Sequence, residues 1–334
     1  MSKAIIVVGA SAGGVEALRA FVSGLPVDLP ASVVVVLHIP RSAPSALPAI
    51  LTRAGPLTAT SAQHGAALRA GVIYTAPADH HVLVVEGRVH LSLGPVENGH
   101  RPAIDPLFRS AAVAYGPRAV GVVLSGTRDD GTAGLAAIAA CGGTALVQDP
   151  GDALYAAMPA SALGHVPGAR AYPAAKIGGE IAELFADTAV VPEDPPADDL
   201  LLAEHAIAAL DPGRTSTAEL RAAEPSGLSC PNCEGSLFEL PGSPEPRFRC
   251  RVGHAWSPAS LAAEQTDGVE HAMWAALRAL EERAALLRSL ATLADRRGSR
   301  SVADRHRADA ARGEANADVI RQLLAEDPTG GASE

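Results

Sequence analysis

Large aromatic side chains are scarce. Phe, Trp and Tyr together make up 3% of the 334 residues, although 48% are hydrophobic. A core so short of rings must be built from Val, Leu, Ile and Ala, which suits a parallel sheet covered by helices on both faces. No run of about 18 apolar residues occurs, so the chain is not expected to be an integral membrane protein. There are only four cysteines. Three of them cluster with metal-site spacing rather than as a disulfide framework, which points to a reducing compartment. The opening MSKAIIVVGASAGG has too brief an apolar run for a secretory signal, so a cytoplasmic location is expected. A basic stripe is missing as well. Residues 1–190 hold 12 Lys/Arg against 13 Asp/Glu, the rest 15 against 24, and the net charge is -10. No nucleic-acid partner is expected from that balance, and the acidic second half reads as a solubility feature.

What is present up to about residue 190 is an alternation of apolar strands and helical patterns. AIIVVG (4–9), SVVVVLH (32–38), AVGVVLSG (119–126) and TALVQD (144–149) read as buried strands. Gly13 to Leu25, Pro44 to Arg53 and Thr132 to Ala140 read as helices, and 81–93 alternates around Glu86-Gly87 as a β-hairpin. The expected fold is α/β, a doubly wound and mainly parallel sheet with a β-hairpin, its ligands gathering outside the carboxyl ends of the strands. Residues 191–228 are rich in Pro and acid and read as a linker enclosing a short helix near 199–210. A small Cys-rich module is expected over 229–258 and a helical hairpin over 259–326, from two helical patterns parted by Arg296-Arg297-Gly298. A disordered tail over 327–334 completes the expected domain plan. The periodicity of the first of these helices is carried by Trp274, Leu277, Leu280 and Ala284.

Three strand ends carry residues that a buried strand does not need. The first runs Gly9-Ala10-Ser11-Ala12-Gly13-Gly14, and Gly9-x-Ser11-x-Gly13 fits a nucleophile elbow, where small residues allow a sharp strand-to-helix turn. A Gly-rich phosphate loop is the competing reading of the same residues. A dinucleotide fold would place Asp or Glu at the end of the second strand, whereas this strand ends Leu37-His38-Ile39-Pro40. Histidine is the natural base for a serine, since it titrates closest to neutrality. The third strand end, Leu124-Ser125-Gly126-Thr127-Arg128-Asp129-Asp130-Gly131, offers two Asp residues as the acid that would orient such a base. One of the pair is equally explained as a cap for the helix that follows. The chain order Ser, His, Asp differs from the Ser, Asp, His order of α/β-hydrolases, so that fold is not implied.

Together these segments resemble the catalytic domain of chemotaxis protein-glutamate methylesterases, the CheB-like family. Tyr74-Thr75-Ala76-Pro77 and His100-Arg101-Pro102-Ala103-Ile104-Asp105 extend the likeness, which runs from residue 4 to about 190. The resemblance implies Ser11 as nucleophile, His38 as general base and, because the family's acid directly precedes Gly, Asp130 rather than Asp129 as the acid. It implies backbone oxyanion donors at Ala12 and Thr127, where the family often has Thr and Met. It also implies demethylation of glutamate γ-methyl esters on a chemoreceptor or related signalling protein, with glutamine deamidation in some members, and no cofactor for catalysis. Full-length relatives usually carry an N-terminal receiver domain; this chain opens on the catalytic strand, so that switch is expected to be absent in cis. The alternative reading is a signalling adaptor with a methylesterase-like fold and little hydrolysis.

Cys230-Pro231-Asn232-Cys233, sixteen residues, then Cys250-Arg251-Val252-Gly253-His254 is a zinc-ribbon-like pattern. Two knuckle thiolates and a Cys-x3-His pair can close a tetrahedral site with no open position, so the expected role of Zn²⁺ is structural. Few large apolar residues lie nearby, and the metal is expected to stand in for a hydrophobic core. The helices beyond it are candidates for self-association.

Overall fold

A computed structural model describes residues 3–41, 45–186, 197–211, 223–241 and 246–325. Much of the expected linker (191–196 and 212–222) and the expected tail (327–334) lie outside the described residues. The chain forms two compact units, Met1–Leu261 and Ala262–Glu334.

In the first unit seven strands form one wholly parallel sheet in the order β3-β4-β2-β1-β7-β8-β9. They are β1 (Ile5–Ala10), β2 (Ser32–Leu37), β3 (Thr58–Ser61), β4 (Val72–Thr75), β7 (Ala119–Val123), β8 (Thr144–Gln148) and β9 (Arg170–Tyr172). The apolar runs are continuous because both faces are covered. Ile5, Val7, Val34 and Val36 face one core with α3 (Ile104–Tyr115), α4 (Thr132–Ala140) and α5 (Ala157–His165). Ile6, Val8, Val33 and Val35 face the other, with α1 (Gly14–Ser23), α2 (Leu47–Ala54) and α6 (Ala174–Ala186). Alternate residues of each central strand therefore serve opposite cores. The expected hairpin is β5 (His81–Val85) with β6 (Arg88–Ser92), turning through Glu86 and Gly87, both at positive φ. The third buried strand stops at Val123, earlier than its apolar run, because Leu124 onward turns into the loop that holds Asp129 and Asp130.

Helix α7 (Asp199–Ala209) is capped by Asp198, whose carboxylate accepts from the Leu201 N–H at 2.6 Å. It packs into the first unit: Glu204 is buried, and the Ala208 carbonyl accepts from the Ser92 hydroxyl. A four-stranded antiparallel sheet follows, of β10 (Glu224–Ser229), β11 (Ser236–Glu239), β12 (Phe248–Cys250) and β13 (Ala255–Trp256). It owns a small core of Leu237, Trp256 and Leu261 around Cys230 and Cys250, more than composition suggested.

Helix α8 (Pro258–Arg296) and helix α9 (Arg300–Ala325) supply the second unit. Buried Leu277, Ala284 and Ala291 on the first and Ala303, Ala310 and Ala317 on the second repeat every seven residues, a narrow alanine seam. Arg288–Glu314 and Arg321–Glu281 ion pairs link the two helices. Trp274, taken from sequence as part of the apolar stripe, is 54% exposed, because the seam passes through Leu277 and Ala284 instead.

Phe108 is the largest apolar side chain of α3 and is fully buried between that helix and the sheet. Phe108→Ala is expected to cost about 3–5 kcal/mol of stability, read as a lower urea midpoint with an unchanged slope.

Candidate active site

The central strands converge where the strand order reverses, between β1 and β7, and the candidate residues all leave the carboxyl ends there. Ser11 follows β1 directly. Its N–H donates to the Ser125 carbonyl at 2.9 Å and its carbonyl accepts from the Gly14 N–H, so the turn is fixed at both ends. Two glycines make the turn sterically possible. Gly13 has φ +68°, and a Cβ there would lie 2.7 Å from Ser125 Oγ; a Cβ on Gly126 would lie 2.9 Å from the Ser11 Cβ and 2.1 Å from Met158 Sδ.

His38 follows β2, its N–H donating to the Ala10 carbonyl at 3.1 Å, one step beyond the strand pairing. Its Nδ1 lies 3.1 Å from Ser11 Oγ and its Nε2 lies 2.8 Å from Asp130 Oδ2. A carboxylate only accepts, so Nε2 carries the proton and Nδ1 presents a lone pair to the serine hydroxyl. Asp130 sits in the turn before α4 and is buried. Its Oδ2 also accepts from the Ile104 N–H at 2.7 Å. Its Oδ1 accepts from Asn98 Nδ2 at 3.0 Å and from the Asp105 N–H at 3.3 Å. The carboxylate therefore caps the N-terminus of α3, where the peptide dipoles favour negative charge. Burial alone would raise its pKa, but the bond and charge of His38 and the Ile104 N–H hold it well below the ordinary range.

A second ring of residues was not legible as a site. His100 stacks on His38 with ring centroids 3.7 Å apart and planes 8° apart, and its Nδ1–H donates to the Asn98 carbonyl at 2.7 Å. Asp105 accepts from the Gly134 N–H at 2.6 Å and from Asn98 Nδ2 at 3.1 Å; burial and the charge of Asp130 push it up to about 7. Asn98 and Gly99 both have positive φ, and Glu97 and His100 exchange backbone hydrogen bonds across them. The Asn-Gly pair was the available signal, but it announces a tight turn and not a role. Ser125 likewise carries no sequence signal of a role, yet its hydroxyl donates to the Ala12 carbonyl at 2.8 Å and accepts from the Tyr155 N–H at 3.0 Å.

Ala12 follows Ser11 in the β1 loop and Thr127 follows Gly126 in the β7 loop; among the described residues neither N–H has a backbone acceptor. An open cleft of about 350 Å³ adjoins the histidine, lined by His38, Arg41, Gly99, His100 and Arg101. The structure thus brings Ser11, His38 and Asp130 into one hydrogen-bonded line.

A model of the CheB methylesterase family matches residues 6–181, more than half of the chain. The chain belongs to the CheB methylesterase family. Over 145 residues it is 43% identical to protein-glutamate methylesterase/protein-glutamine glutaminase 2 of Anaeromyxobacter dehalogenans (strain 2CP-C), covering 43% of this chain and 42% of that one. Over 162 residues it is 39% identical to protein-glutamate methylesterase/protein-glutamine glutaminase 1 of Xanthomonas campestris pv. campestris, covering 47% and 45%. The chain thus spans less than half the length of these two relatives. The crystal structure of the Thermotoga maritima CheB methylesterase catalytic domain aligns over all of its own length and 55% of this chain, at 32% identity and a TM-score of 0.53. The doubly wound parallel sheet is accordingly that of this catalytic domain.

The four candidate metal ligands also come together. Cys230 and Cys233 sit on the knuckle between β10 and β11, Cys250 ends β12, and His254 precedes β13. Their ligand atoms all lie within 4.8 Å of one another. Cys233 and Cys250 Sγ are 3.6 Å apart, and His254 Nδ1 is 3.5 Å from Cys250 Sγ and 3.6 Å from Cys230 Sγ. Zn–S and Zn–N bonds of about 2.3 and ~2.1 Å at tetrahedral angles imply donor–donor edges of about 3.6–3.8 Å. The donor set fits zinc in chemistry, and these three separations match such edges.

His100 sets the sign of one pH dependence. Burial, then the neighbouring His38, push its pKa down to about 4, against ~6.5 for a free imidazole. Below ~6.5 the unfolded chain takes up a proton that the folded chain refuses, so this contribution is present above ~6.5 and lost as pH falls toward about 4. His100→Phe keeps a flat ring over His38 and removes that titration. Its Tm should fall less steeply than that of wild type across the same interval, measured by thermal unfolding at a series of pH values.

Proposed function

We propose that this chain is a serine hydrolase that demethylates glutamate γ-methyl esters on a chemoreceptor or related signalling protein, releasing methanol. The observation that carries the reading is the unbroken line from Ser11 Oγ through the His38 ring to Asp130 at 3.1 and 2.8 Å, set at the strand ends of a CheB methylesterase fold. The names of the relatives, which pair methylesterase with glutaminase, support a second activity on glutamine through the same acyl chemistry.

Ser11 Oγ attacks the ester carbonyl carbon while its proton passes to His38 Nδ1. The carbonyl oxygen becomes an oxyanion, held by the Ala12 and Thr127 N–H groups; losing one such donor typically costs about 2.7–4 kcal/mol of transition-state stabilisation. Collapse breaks the C–O bond to methanol, which takes the proton back from Nδ1. Water then repeats the sequence on the glutamyl ester of Ser11, releasing the glutamate carboxylate. Asp130 stays ionised throughout, fixing the tautomer and sharing the charge of the transient imidazolium. Release of ammonia in place of methanol gives the glutaminase reaction. No step requires a cofactor.

The Cys230, Cys233, Cys250 and His254 cluster is assigned a structural Zn²⁺ ion, supported by its three sulfurs and one imidazole and by donor separations of 3.5–3.6 Å. Thiolate ligands fit a reducing, cytoplasmic setting, and among the described residues no helix is long and apolar enough to cross a membrane. Self-association is assigned to the C-terminal helices, where Leu286, Leu290 and Leu293 are exposed at i, i+4 and i+7. Sedimentation that finds only monomer at all concentrations would remove that assignment.

The test of the main reading is methanol release from radiolabelled methylated receptor. Wild type should release methanol and Ser11→Ala should not; Asp130→Asn, which loses the correct tautomer, should lower kcat by about 10⁴. Equal release by wild type and Ser11→Ala would sink the nucleophile, and none by either would favour the adaptor.

A further inference from the structure

Within three positions of His254 the chain reaches Asn98, which holds Asp130, and Asp129, its neighbour. Strand β13 begins immediately after His254 and lies along residues 96–98: the Asn98 N–H donates to the Ala255 carbonyl at 2.8 Å, and the Ala255 N–H to the Val96 carbonyl at 3.4 Å. The next contact is the decisive one. The Ser257 N–H donates to Asn98 Oδ1 at 2.9 Å. A carboxamide has one accepting and one donating end. With Oδ1 engaged by Ser257, Nδ2 must face the acids, and it donates to Asp130 Oδ1 at 3.0 Å and Asp105 Oδ2 at 3.1 Å. A flipped amide would aim an oxygen at two carboxylates. The same segment also grips the residue beside Asp130, since the hydroxyls of Ser257 and Ser260 donate to Asp129 Oδ1 at 2.6 and 2.8 Å.

The metal ligands and this grip share one short stretch of chain. Arg249, next to Cys250, donates to the Gly253 carbonyl at 2.6 Å and to Glu204 and Glu97 at 2.6 and 3.3 Å. Glu97 in turn takes both its oxygens to Arg109 Nη2 at 2.7 Å, one residue before Asn98. The 250–254 loop is closed by backbone bonds, from the Cys250 N–H to the His254 carbonyl at 3.0 Å and from the Gly253 N–H to the Cys250 carbonyl at 2.9 Å, and it carries two of the four cluster donors, the others being the Cys230 and Cys233 thiols. A dication bound by those four donors would fix the loop directly, releasing the thiol protons to solvent.

We propose that Zn²⁺ bound by Cys230, Cys233, Cys250 and His254 positions the triad: occupancy holds residues 254–260 on Asn98 and Asp129, and through them holds Asp130 in line with His38. Asn98 and Ser257 are positioning residues, acting through Asp130. The inference rests on Ser11, His38 and Asp130 being the catalytic set.

The experiment uses the full chain purified under reducing conditions, with zinc counted by elemental analysis and removed by a chelator. The readout independent of turnover is the low-field proton resonance of the His38 Nε2–H bonded to Asp130, assigned by its loss in His38→Gln. Turnover is followed with p-nitrophenyl acetate as a plain ester probe. One zinc per chain is expected. Its removal should broaden the resonance and lower kcat about 10- to 100-fold with little change in KM, as loss of outer support around a site typically does. Readdition of Zn²⁺ should restore both. Asn98→Ala should reproduce both losses while keeping its zinc, and added Zn²⁺ should not rescue it, which separates positioning from folding. Cys233→Ser, at the most exposed ligand, should lose zinc and follow the chelated protein. Absence of stoichiometric zinc after incubation with Zn²⁺ overturns the proposal, as does zinc removal that leaves resonance and kcat unmoved. A resonance that follows zinc in a protein without any esterase activity supports the coupling and overturns the hydrolase reading instead.

Discussion

The site depends on keeping one buried carboxylate ionised. Taking Asp130 out of water is costly, and an isolated charge there would simply take up a proton. Four donors prevent this: the His38 ring N–H, the Ile104 and Asp105 N–H groups at the start of α3, and the Asn98 amide. Because Asp130 stays charged, the proton on His38 stays on Nε2, and because it stays there, Nδ1 remains open toward Ser11. Tautomer, ring orientation and serine contact all follow from how this charge is solvated. The nearby carboxylate of Asp105 takes the other part of the bargain. It shares the Asn98 amide but lacks the imidazole, and is pushed up to about 7 while Asp130 goes down.

The sheet explains why groups 27 and 92 residues from the base arrive together. Parallel strands all finish on the same edge, and β1, β2 and β7 are neighbours at the point where the winding reverses. Each then needs only a short loop to present its residue. Glycine is needed where those loops touch, as at Gly13 against Ser125 and Gly126 against Ser11. The scarcity of aromatics fits the same design, because narrow β-branched strands sandwiched between two helix layers leave little room for rings.

This logic also separates what could be read from the sequence and what could not. The strands were legible because burial on both faces makes them continuously apolar, and Ser11, His38 and the Asp129–Asp130 pair stood out because a strand end has no structural use for them, the choice of Asp130 resting on the family resemblance alone. The Cys230, Cys233, Cys250 and His254 cluster was legible from spacing alone. Asn98, His100 and Asp105 were not, since each looks ordinary until a distant segment is brought beside it: a turn residue, a ring and a helix start. Ser257 and Ser260 were still less visible, because their partner Asp129 lies 128 and 131 residues away. Trp274 failed for the opposite reason. Its spacing suited the helical stripe, but an alanine seam of heptad period has no room for an indole.

The way the Cys-rich sheet is attached bears on what it is for. A module serving only as an anchor would be expected to bury apolar surface. Here, beside an apolar approach of Gly253 to Ile207 and Pro95, the contact with α3 and α7 is ionic: Glu97 and Glu204 are buried among Arg109, Arg247 and Arg249. Burial would raise both acids, yet the arginines hold Glu204 well below its ordinary range and Glu97 below it too. Such a seam contributes little net stability, because the desolvation of each ion offsets most of the Coulombic gain. What it does contribute is register. Bidentate guanidinium–carboxylate geometry tolerates little displacement, so the module either docks in one position or leaves buried charges unpaired. That position is the one in which the Ser257 N–H meets Asn98. An interface that is weak in energy but strict in geometry is suited to setting the orientation of a side chain at a neighbouring site, and poorly suited to mere tethering.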